Sequence, residues 1–552
     1  MFEIILKCII FIALTVLAVI YYRKHKNEKY NIFRVLFAVA LLTMVLSFLI
    51  PGNNFSYTGD VETGYNPIGF SDLFLNATTA MNISVATGAY LFLITILYVI
   101  LKKAGKYDVL VNNTAATFKK NKSLFMVLTV FILGLMSLFT GEVYTMIVFI
   151  PFLISVIRKL GYSKEISITA TIGAVLLGNA GALYAYSNQV LRLSVTDNLM
   201  QKVVVTVVAL VCLLGFVLVF CKKPVLKEEL VKTKEKKMLP IYIISGLVFV
   251  LLVLGFVNWS SYFEYDGFDK FLESIRKTTI GNTSIFDALI GSPNIMAAFG
   301  SWTINTASAL LVFVIIALVL IYRVNLLESI ANGAKKVLPY IGILVLSNLI
   351  LVNIFQSGLF YSIQMLFTKK HVNIFNSSVI SLFSSLTISD VMYASQFTME
   401  SVLRNTKAVN YEDLLAVVFQ AVYSLGLIIS PVSALALFGM KYTETSYKEW
   451  LKHIWKFFVI MLIVLLVVIK ILIDGFTIAS IIAFVLLIVA LAFLTWLSIS
   501  KIISSSVKKG AIEAYDKIQE KEETKVTKVE VKEEKKESKN NKKKSNNKKS
   551  KK

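Results

Sequence analysis

The sequence predicts an all-α polytopic membrane protein, and three observations carry that prediction. The 552 residues are 56% hydrophobic, with a mean hydropathy of +0.72. Only 16% are charged, where a soluble protein keeps about a quarter. The apolar residues fall in long, nearly uncharged runs close to the ~20 residues that span a bilayer as a helix. Phenylalanine (38) and tyrosine (24) are abundant, which suits lipid-facing surfaces and interfacial belts.

Composition also excludes several function classes. Cys8, Cys212 and Cys221 lie in or at the ends of apolar runs, without metal-site or disulfide spacing. His25, His371 and His453 are scattered beside lysines, unlike the clustered ligands of a zinc centre. No phosphate-cradling Gly-rich loop with a following Lys-Ser/Thr occurs, so no ATPase is recognisable. The chain reads as a non-enzyme without a cofactor.

The elements follow from hydropathy and charge. The first apolar run, Ile4–Tyr22, has its basic residues after it (Arg23, Lys24, Lys26, Lys29), so it reads as an uncleaved anchor rather than a signal peptide. Basic loops at Arg23–Lys29, Lys102–Lys122, Arg158–Lys164, Lys222–Lys237, Lys335–Lys336 and Lys441–Lys456 are placed in the cytoplasm, as is everything after Lys501. Residues 51–101 contain no Lys or Arg but do contain Asp60, Glu62 and Asp72, and the loop from Asn258 to Trp302 mixes acidic residues with Lys270, Arg276 and Lys277; both loops are placed outside. About eleven full spans are expected, at 4–22, 32–50, 81–101, 166–190, 203–221, 239–257, 303–322, 338–356, 412–438, 454–474 and 476–499. Leu326–Lys336 reads as a short helix along the inner surface.

Two stretches break this alternation. Leu124–Leu138 and Val143–Ile157 are each short for a full crossing, and Phe139-Thr140-Gly141-Glu142 separates them. Charge parity makes 124–157 a hairpin that enters and leaves on the cytoplasmic side. By the same parity, 376–404 enters and leaves on the outer side, although Lys369, Lys370, Arg404 and Lys407 then lie outside against the rule. Each hairpin precedes a span that loses its apolar character partway. The first does so at Gly178-Asn179-Ala180-Gly181 and Tyr186-Ser187-Asn188-Gln189, the second from Gln420 through Gly426 to Ser430-Pro431-Val432-Ser433. Oppositely oriented hairpins with broken spans make an inverted repeat of the kind secondary transporters use.

The expected organisation is therefore an anchor (1–30), a first inverted repeat (31–221), a connecting loop, span and outer loop (222–302), a second repeat (303–474), a final span (475–507) and a tail (508–552). The tail is rich in Lys, Glu and Asn and carries much of the +23 net charge; it reads as a solvated, disordered cytoplasmic segment. No specific nucleic-acid partner is expected. The expected partners are a small-molecule substrate and the bilayer of a bacterial-type cell membrane.

Ionisable residues at bilayer depth are costly and point to function. Glu142 and Asp390 sit at the two hairpin tips, which inverted symmetry would bring together. They are the candidates for coupling to Na+ or H+, or for holding an amino group; the plain alternative for each is a helix cap at the membrane surface. Thr140, Gly141, Asn179, Gly181, Ser187, Asn188, Thr387, Ser389, Gln420, Ser424, Ser430, Pro431 and Ser433 are the candidate substrate ligands at the breaks. No Lys or Arg stands at these breaks, which favours a zwitterionic or cationic solute over a dicarboxylate.

Several motifs resemble the YfcC-like carriers, relatives of the DcuC-type anaerobic C4-dicarboxylate carriers in the ion transporter superfamily. They are Ile50-Pro51-Gly52 with Asn66-Pro67-Ile68-Gly69-Phe70-Ser71-Asp72-Leu73-Phe74, Gly141-Glu142 with Leu160-Gly161-Tyr162, and Asn332-Gly333-Ala334-Lys335. Phe419-Gln420 through Ser433, with Tyr447-Lys448-Glu449-Trp450-Leu451-Lys452, completes the set. The resemblance covers 32–474 and implies an elevator-like secondary carrier of carboxylates or amino acids, with a homodimer expected from elevator relatives. The chain departs from the family where Leu386-Thr387-Ile388-Ser389-Asp390 replaces a Pro-Ser-Gly-Ser-Gly type tip, and where the first break lacks proline. Two other classes stay open: a degenerate carrier fold kept as a non-transporting scaffold, and a membrane-embedded lipid-linked transferase or polymerase. The last needs a catalytic constellation that the loop at 258–302 does not display.

Overall fold

The computed structural model describes residues 31–55, 61–220, 229–281, 283–290, 297–368, 373–405 and 412–475, with Val16, Ile20, Pro224, Thr477 and Ile482. The expected anchor at 4–22, the span at 476–499 and the tail at 508–552 lie outside the described residues, apart from those isolated positions. The protein is an all-α polytopic membrane protein. Eight helices among the described residues are long and apolar enough to cross a membrane. Among the described residues the strands form only two-stranded hairpins. Residues Met1–Thr477 form one compact unit, to which all the elements below belong.

Helix α1 (Asn31–Leu49) leads through an antiparallel hairpin, β1 (Gly52–Phe55) with β2 (Val61–Gly64), into α2 (Phe70–Lys103). Helix α2 starts at Phe70 rather than at 81. Asp72 caps it by accepting from the Gly69 amide at 2.7 Å. Within the basic loop at 102–122 lies a helix not expected from the sequence, α3 (Lys106–Phe118). It buries Tyr107, Leu110, Val111, Ala115 and Ala116, spacings that put them on one face. The connecting loop covers this helix: Lys106 pairs with Glu235 at 2.7 Å, and Asn113 bonds the Thr233 carbonyl at 3.0 Å.

The first hairpin consists of α4 (Lys122–Thr140), a 3-10 turn at Thr145–Val148, and α5 (Ile150–Lys159). Helix α4 extends past both ends of the apolar run, and its 19 residues rise about 28 Å. One arm is thus nearly as long as the bilayer core is thick, at ~30 Å. The first broken span follows as α6 (Lys164–Ile168), a π turn at Thr169–Gly173, α7 (Ala174–Asn179), a gap, and α8 (Tyr186–Leu191). Helices α9 (Leu199–Gly215) and α10 (Leu239–Phe256) cross next. The segment beyond folds into α11 (Trp259–Phe263), α12 (Gly267–Arg276), the strand pair β3 (Thr279–Ile280) and β4 (Thr283–Ser284), and α13 (Ile285–Ile290).

The second half runs through α14 (Ile304–Tyr322), α15 (Leu326–Gln356) and α16 (Leu359–Thr368). Leu326–Lys336 is not a separate surface helix: it is the first third of α15, because Ser329, Gly333 and Val337 bury against the bundle. The second hairpin is α17 (Ile374–Thr387) with α18 (Val391–Asn405), and the second broken span is α19 (Glu412–Gly426) with α20 (Ala434–Thr443). Helix α21 (Tyr447–Asp474) is the last of these elements. In each half the first hairpin arm packs on the helix just before the gap of the following broken span, α4 on α7 and α17 on α19.

Helices α2 and α15 form the longest packed pair, antiparallel along their whole length. Asn76 donates to Asn353 at 2.9 Å near one end, and Asn348 donates to Ser84 at 2.8 Å further along. Lys103 meets Glu328 at 2.9 Å at the other end. Both amide pairs are buried, and polar pairs of this kind fix register between helices that lipid would otherwise solvate equally well. Asn76→Ala and Asn353→Ala should each destabilise the protein, with a coupling of about 0.6 kcal/mol and at most about 1.7 kcal/mol. A double-mutant cycle on reversible unfolding in detergent measures this; strictly additive losses would mean the pair sets no register.

Candidate functional site

Each break is closed by the hairpin before it. Helix α4 ends at Gly141, whose φ is +67°, a left-handed C-cap that glycine adopts without strain. A methyl there would also collide with the Tyr184 carbonyl oxygen. Across this contact the Leu183 amide donates to Leu138 O at 2.9 Å, and Asn179 Nδ2 donates to Gly141 O at 2.8 Å. One turn back, Gly178 lies against Gly134, so close that a methyl would stand 2.7 Å from the Gly134 Cα. Small residues let two backbones touch in this way.

The second half repeats the arrangement with different chemistry. Helix α17 ends at Thr387, and Ile388 is extended. Tyr423 OH donates to Ile388 O at 3.0 Å, and Ser389 Oγ accepts from the Ala434 amide at 2.9 Å. The tips then meet each other, with Tyr144 OH and Ser389 Oγ 3.3 Å apart.

Beside that contact is a cavity of about 410 Å³, within the usual range for small-molecule sites. Thr140, Glu142, Tyr144, Tyr186 and Asp390 line it, with Thr87 of α2, Phe256 and Asn258 at the end of α10 and Thr303 at the start of α14. Among the described residues, no Lys, Arg or His lines it. Glu142 is half-buried, and its Oε1 accepts from Tyr186 OH at 2.9 Å. Asp390 is half-buried too, and its Oδ1 accepts from the amides of Met392 at 2.9 Å and Tyr393 at 3.3 Å. Asp390 therefore does cap the start of α18 while it lines the cavity; Glu142 caps nothing. Two carboxylates share a partly desolvated space without a basic side chain, an arrangement that favours any cation that enters.

The remaining candidates separate into two groups. Asn179, Ser187, Gln420 and Ser424 are buried together where the broken spans cross. Gln420 Nε2 donates to Asn179 O at 2.9 Å and to Asn179 Oδ1, Ser424 Oγ donates to that Oδ1 at 3.4 Å, and Ser187 Oγ donates to Gln420 Oε1 at 3.4 Å. The others are engaged locally. Thr387 bonds back to Phe383 O at 3.0 Å, and Asn188 Nδ2 donates to Ser194 O at 3.3 Å. Ser430 and Ser433 hold the amides of Val432 and Ala436 beside Pro431, and Gly181 packs on the Lys202 carbonyl. Sequence reasoning did not nominate Tyr144, Tyr186 or Tyr423. Tyrosine within two or three residues of a polar break was the available signal, since a buried phenol needs a partner.

Gly178→Ala should destabilise the protein by about 1–3 kcal/mol, the usual cost of overpacking a tight contact, and should displace Asn179 next to it. Gly246→Ala, where a methyl meets nothing within 4 Å, should be neutral or stabilising by up to about 1 kcal/mol. Thermal unfolding of the two variants side by side decides whether the α4–α7 contact is as tight as described.

No family model matches the chain, and no curated protein matches it. Among solved structures it is similar to the YdaH transporter of Alcanivorax borkumensis, at 12% identity and a TM-score of 0.40 over 81% of this chain and 99% of that one. It is also similar to MtrF of Neisseria gonorrhoeae, described with a class of antimetabolite efflux pumps, at 12% identity and a TM-score of 0.36 over 82% of this chain and 97% of that one.

Proposed function

We propose that the protein is a secondary active transporter for a small organic solute, an amino acid or a carboxylate. Glu142 and Asp390 take a coupling Na+ or H+, or the ammonium group of the solute. The observation that carries this is the convergence of both acids on one cavity that no basic side chain lines among the described residues. Carboxylates removed from water without a counter-charge either take up a proton or bind a cation. Thr140 and the phenols of Tyr144 and Tyr186 offer neutral ligands beside them. The two halves form an inverted repeat in which hairpins and broken spans carry the solute and the α2–α15 pair stays fixed, as in elevator-like carriers. With the basic loops inside, the acidic cavity opens outward. Membership of the YfcC-like, DcuC-type carriers is proposed on the sequence motifs alone.

The test is uptake in proteoliposomes. Glu142→Gln and Asp390→Asn should each cut ion-driven uptake by on the order of tenfold or more, the factor that about 1.4 kcal/mol represents, with unfolding midpoints near wild type. Uptake by Glu142→Gln that keeps the wild-type sodium and pH dependence would rule out the coupling role. Thermal stabilisation screened over amino acids and carboxylates finds the solute class. Silence across that panel would favour the non-transporting scaffold.

A further inference from the structure

A second cavity, of about 380 Å³, lies further along α2, past the Thr87 that lines the acidic one. Its charge is opposite. Lys102 of α2, Lys335 and Lys336 of α15 and Lys441 of α20 line it, against one carboxylate, that of Glu444. Lys335 and Lys336 are exposed and make no ion pair among the described residues. Lys102 stands over the Tyr107 ring, 5.1 Å from its centroid.

The rest of the cavity is apolar. Its α2 wall runs from Lys102 back to Leu91, a rise of about 16 Å at 1.5 Å per residue. Ile147 of the 3-10 turn, Pro151 of α5 and Phe438 of α20 face this wall from three elements. The phenols along it are turned to protein: Tyr98 OH donates to Val148 O at 2.7 Å, and Tyr442 OH bonds Ser155 Oγ at 3.0 Å. The Tyr340 hydroxyl, also in the lining, has no protein partner among the described residues.

We infer that this cavity binds an anionic phospholipid. The acidic head sits among the lysines at the membrane surface, and the upper acyl chain lies along Leu91–Tyr98. A basic pocket between transmembrane helices is the setting that holds such head groups. A small soluble anion would leave most of the wall in contact with water, whereas an acyl chain covers it. The lipid would bridge α15 and α20, and so bears on any movement between them.

The test uses the full-length protein, delipidated in detergent and titrated with phosphatidylglycerol, phosphatidylcholine, glycerol 3-phosphate or inorganic phosphate. Thermal unfolding and the number of lipids retained in native mass spectrometry are the readouts. Phosphatidylglycerol should stabilise saturably and be retained. The triple variant K102Q/K335Q/K336Q should bind it on the order of a hundredfold more weakly, from about fivefold per lysine near an anionic lipid. Lys335→Gln and Lys336→Gln alone, both at exposed positions that folding does not depend on, should each lose about fivefold. Removing tail charge with K548Q/K549Q/K551Q/K552Q should change nothing. Equal stabilisation by phosphatidylcholine would overturn the site, as would wild-type affinity in the lysine variants or loss of affinity in the tail variant. If inorganic phosphate or glycerol 3-phosphate alone reproduced the saturable shift and the triple variant lost it, the site would take a free anion and the lipid assignment would fall.

Discussion

A backbone amide or carbonyl at bilayer depth has no water to bond, so every interruption of a membrane helix must be answered by protein. This chain interrupts two spans, at 180–185 and at 427–433, and much of the structure is arranged around answering them. The first break is met by α4: Leu138 accepts from Leu183, and Gly141 accepts from Asn179. The second is met from two sides. Ser389 takes the Ala434 amide, Trp450 Nε1 donates to Ile428 O at 2.8 Å, and Tyr447 OH donates to Ile429 O at 2.5 Å. The start of α21 is therefore tied to the break, which explains why the fully buried Trp450 sits in what reads as a cytoplasmic loop.

The same constraint shows what the sequence could reveal. Runs of apolar residues disclose spans by hydropathy, so seven expected spans from 32–50 to 454–474 have counterparts among the long helices. Polar breaks stand out against those runs, which is why Gly141-Glu142, Asn179 and the Ser430–Ser433 stretch were visible. Helix ends were not legible. Helix α2 begins at Phe70 and α4 ends at Thr140 because Asp72 and Gly141 supply caps that hydropathy does not register. Helix α3 was hidden because the lysines around it (Lys102, Lys103, Lys119, Lys120 and Lys122) mark the segment as a basic loop, while only six of its own residues are buried. The distinction between residues that face a cavity and residues that hold backbone was illegible too. Ser389 and Ser433 read alike, yet one joins the two tips and the other caps a helix. The length of the first hairpin arm was illegible for a related reason: counting only apolar residues shortens an arm that Lys122, Ser123 and Thr140 complete.

Charge is sorted along the bundle. The acidic cavity and the basic one are both bounded by α2, the former at Thr87 and the latter from Leu91 to Lys102. Oppositely charged clusters at two heights cannot neutralise each other across the intervening apolar walls, because interaction falls with distance while desolvation of each group remains. Each cluster is therefore left to compensation from outside the protein, by water, a proton or a counter-ion. That requirement links the site reading to the lipid reading without making either depend on the other.

The bonds between elements also define which parts form one body. Tyr144 joins the hairpin tips, Gln420 joins α19 to Asn179, and Ser187 joins α8 to Gln420. Both hairpins and both broken spans are thus stitched to one another by buried side chains, and a displacement of one would break several bonds in the others. Toward α2 the polar links are of another kind. Tyr90 OH donates to Thr145 O at 2.9 Å and Tyr98 OH to Val148 O at 2.7 Å, each from the tip of a long side chain to a carbonyl of the 3-10 turn. Helix α2 is held in turn by α15 through Asn76–Asn353 and Ser84–Asn348. The polar bonding therefore divides the bundle into a paired-helix frame and a cross-linked hairpin body. The acidic cavity belongs chiefly to the second, so any motion of that body would carry Glu142 and Asp390 together rather than pull them apart.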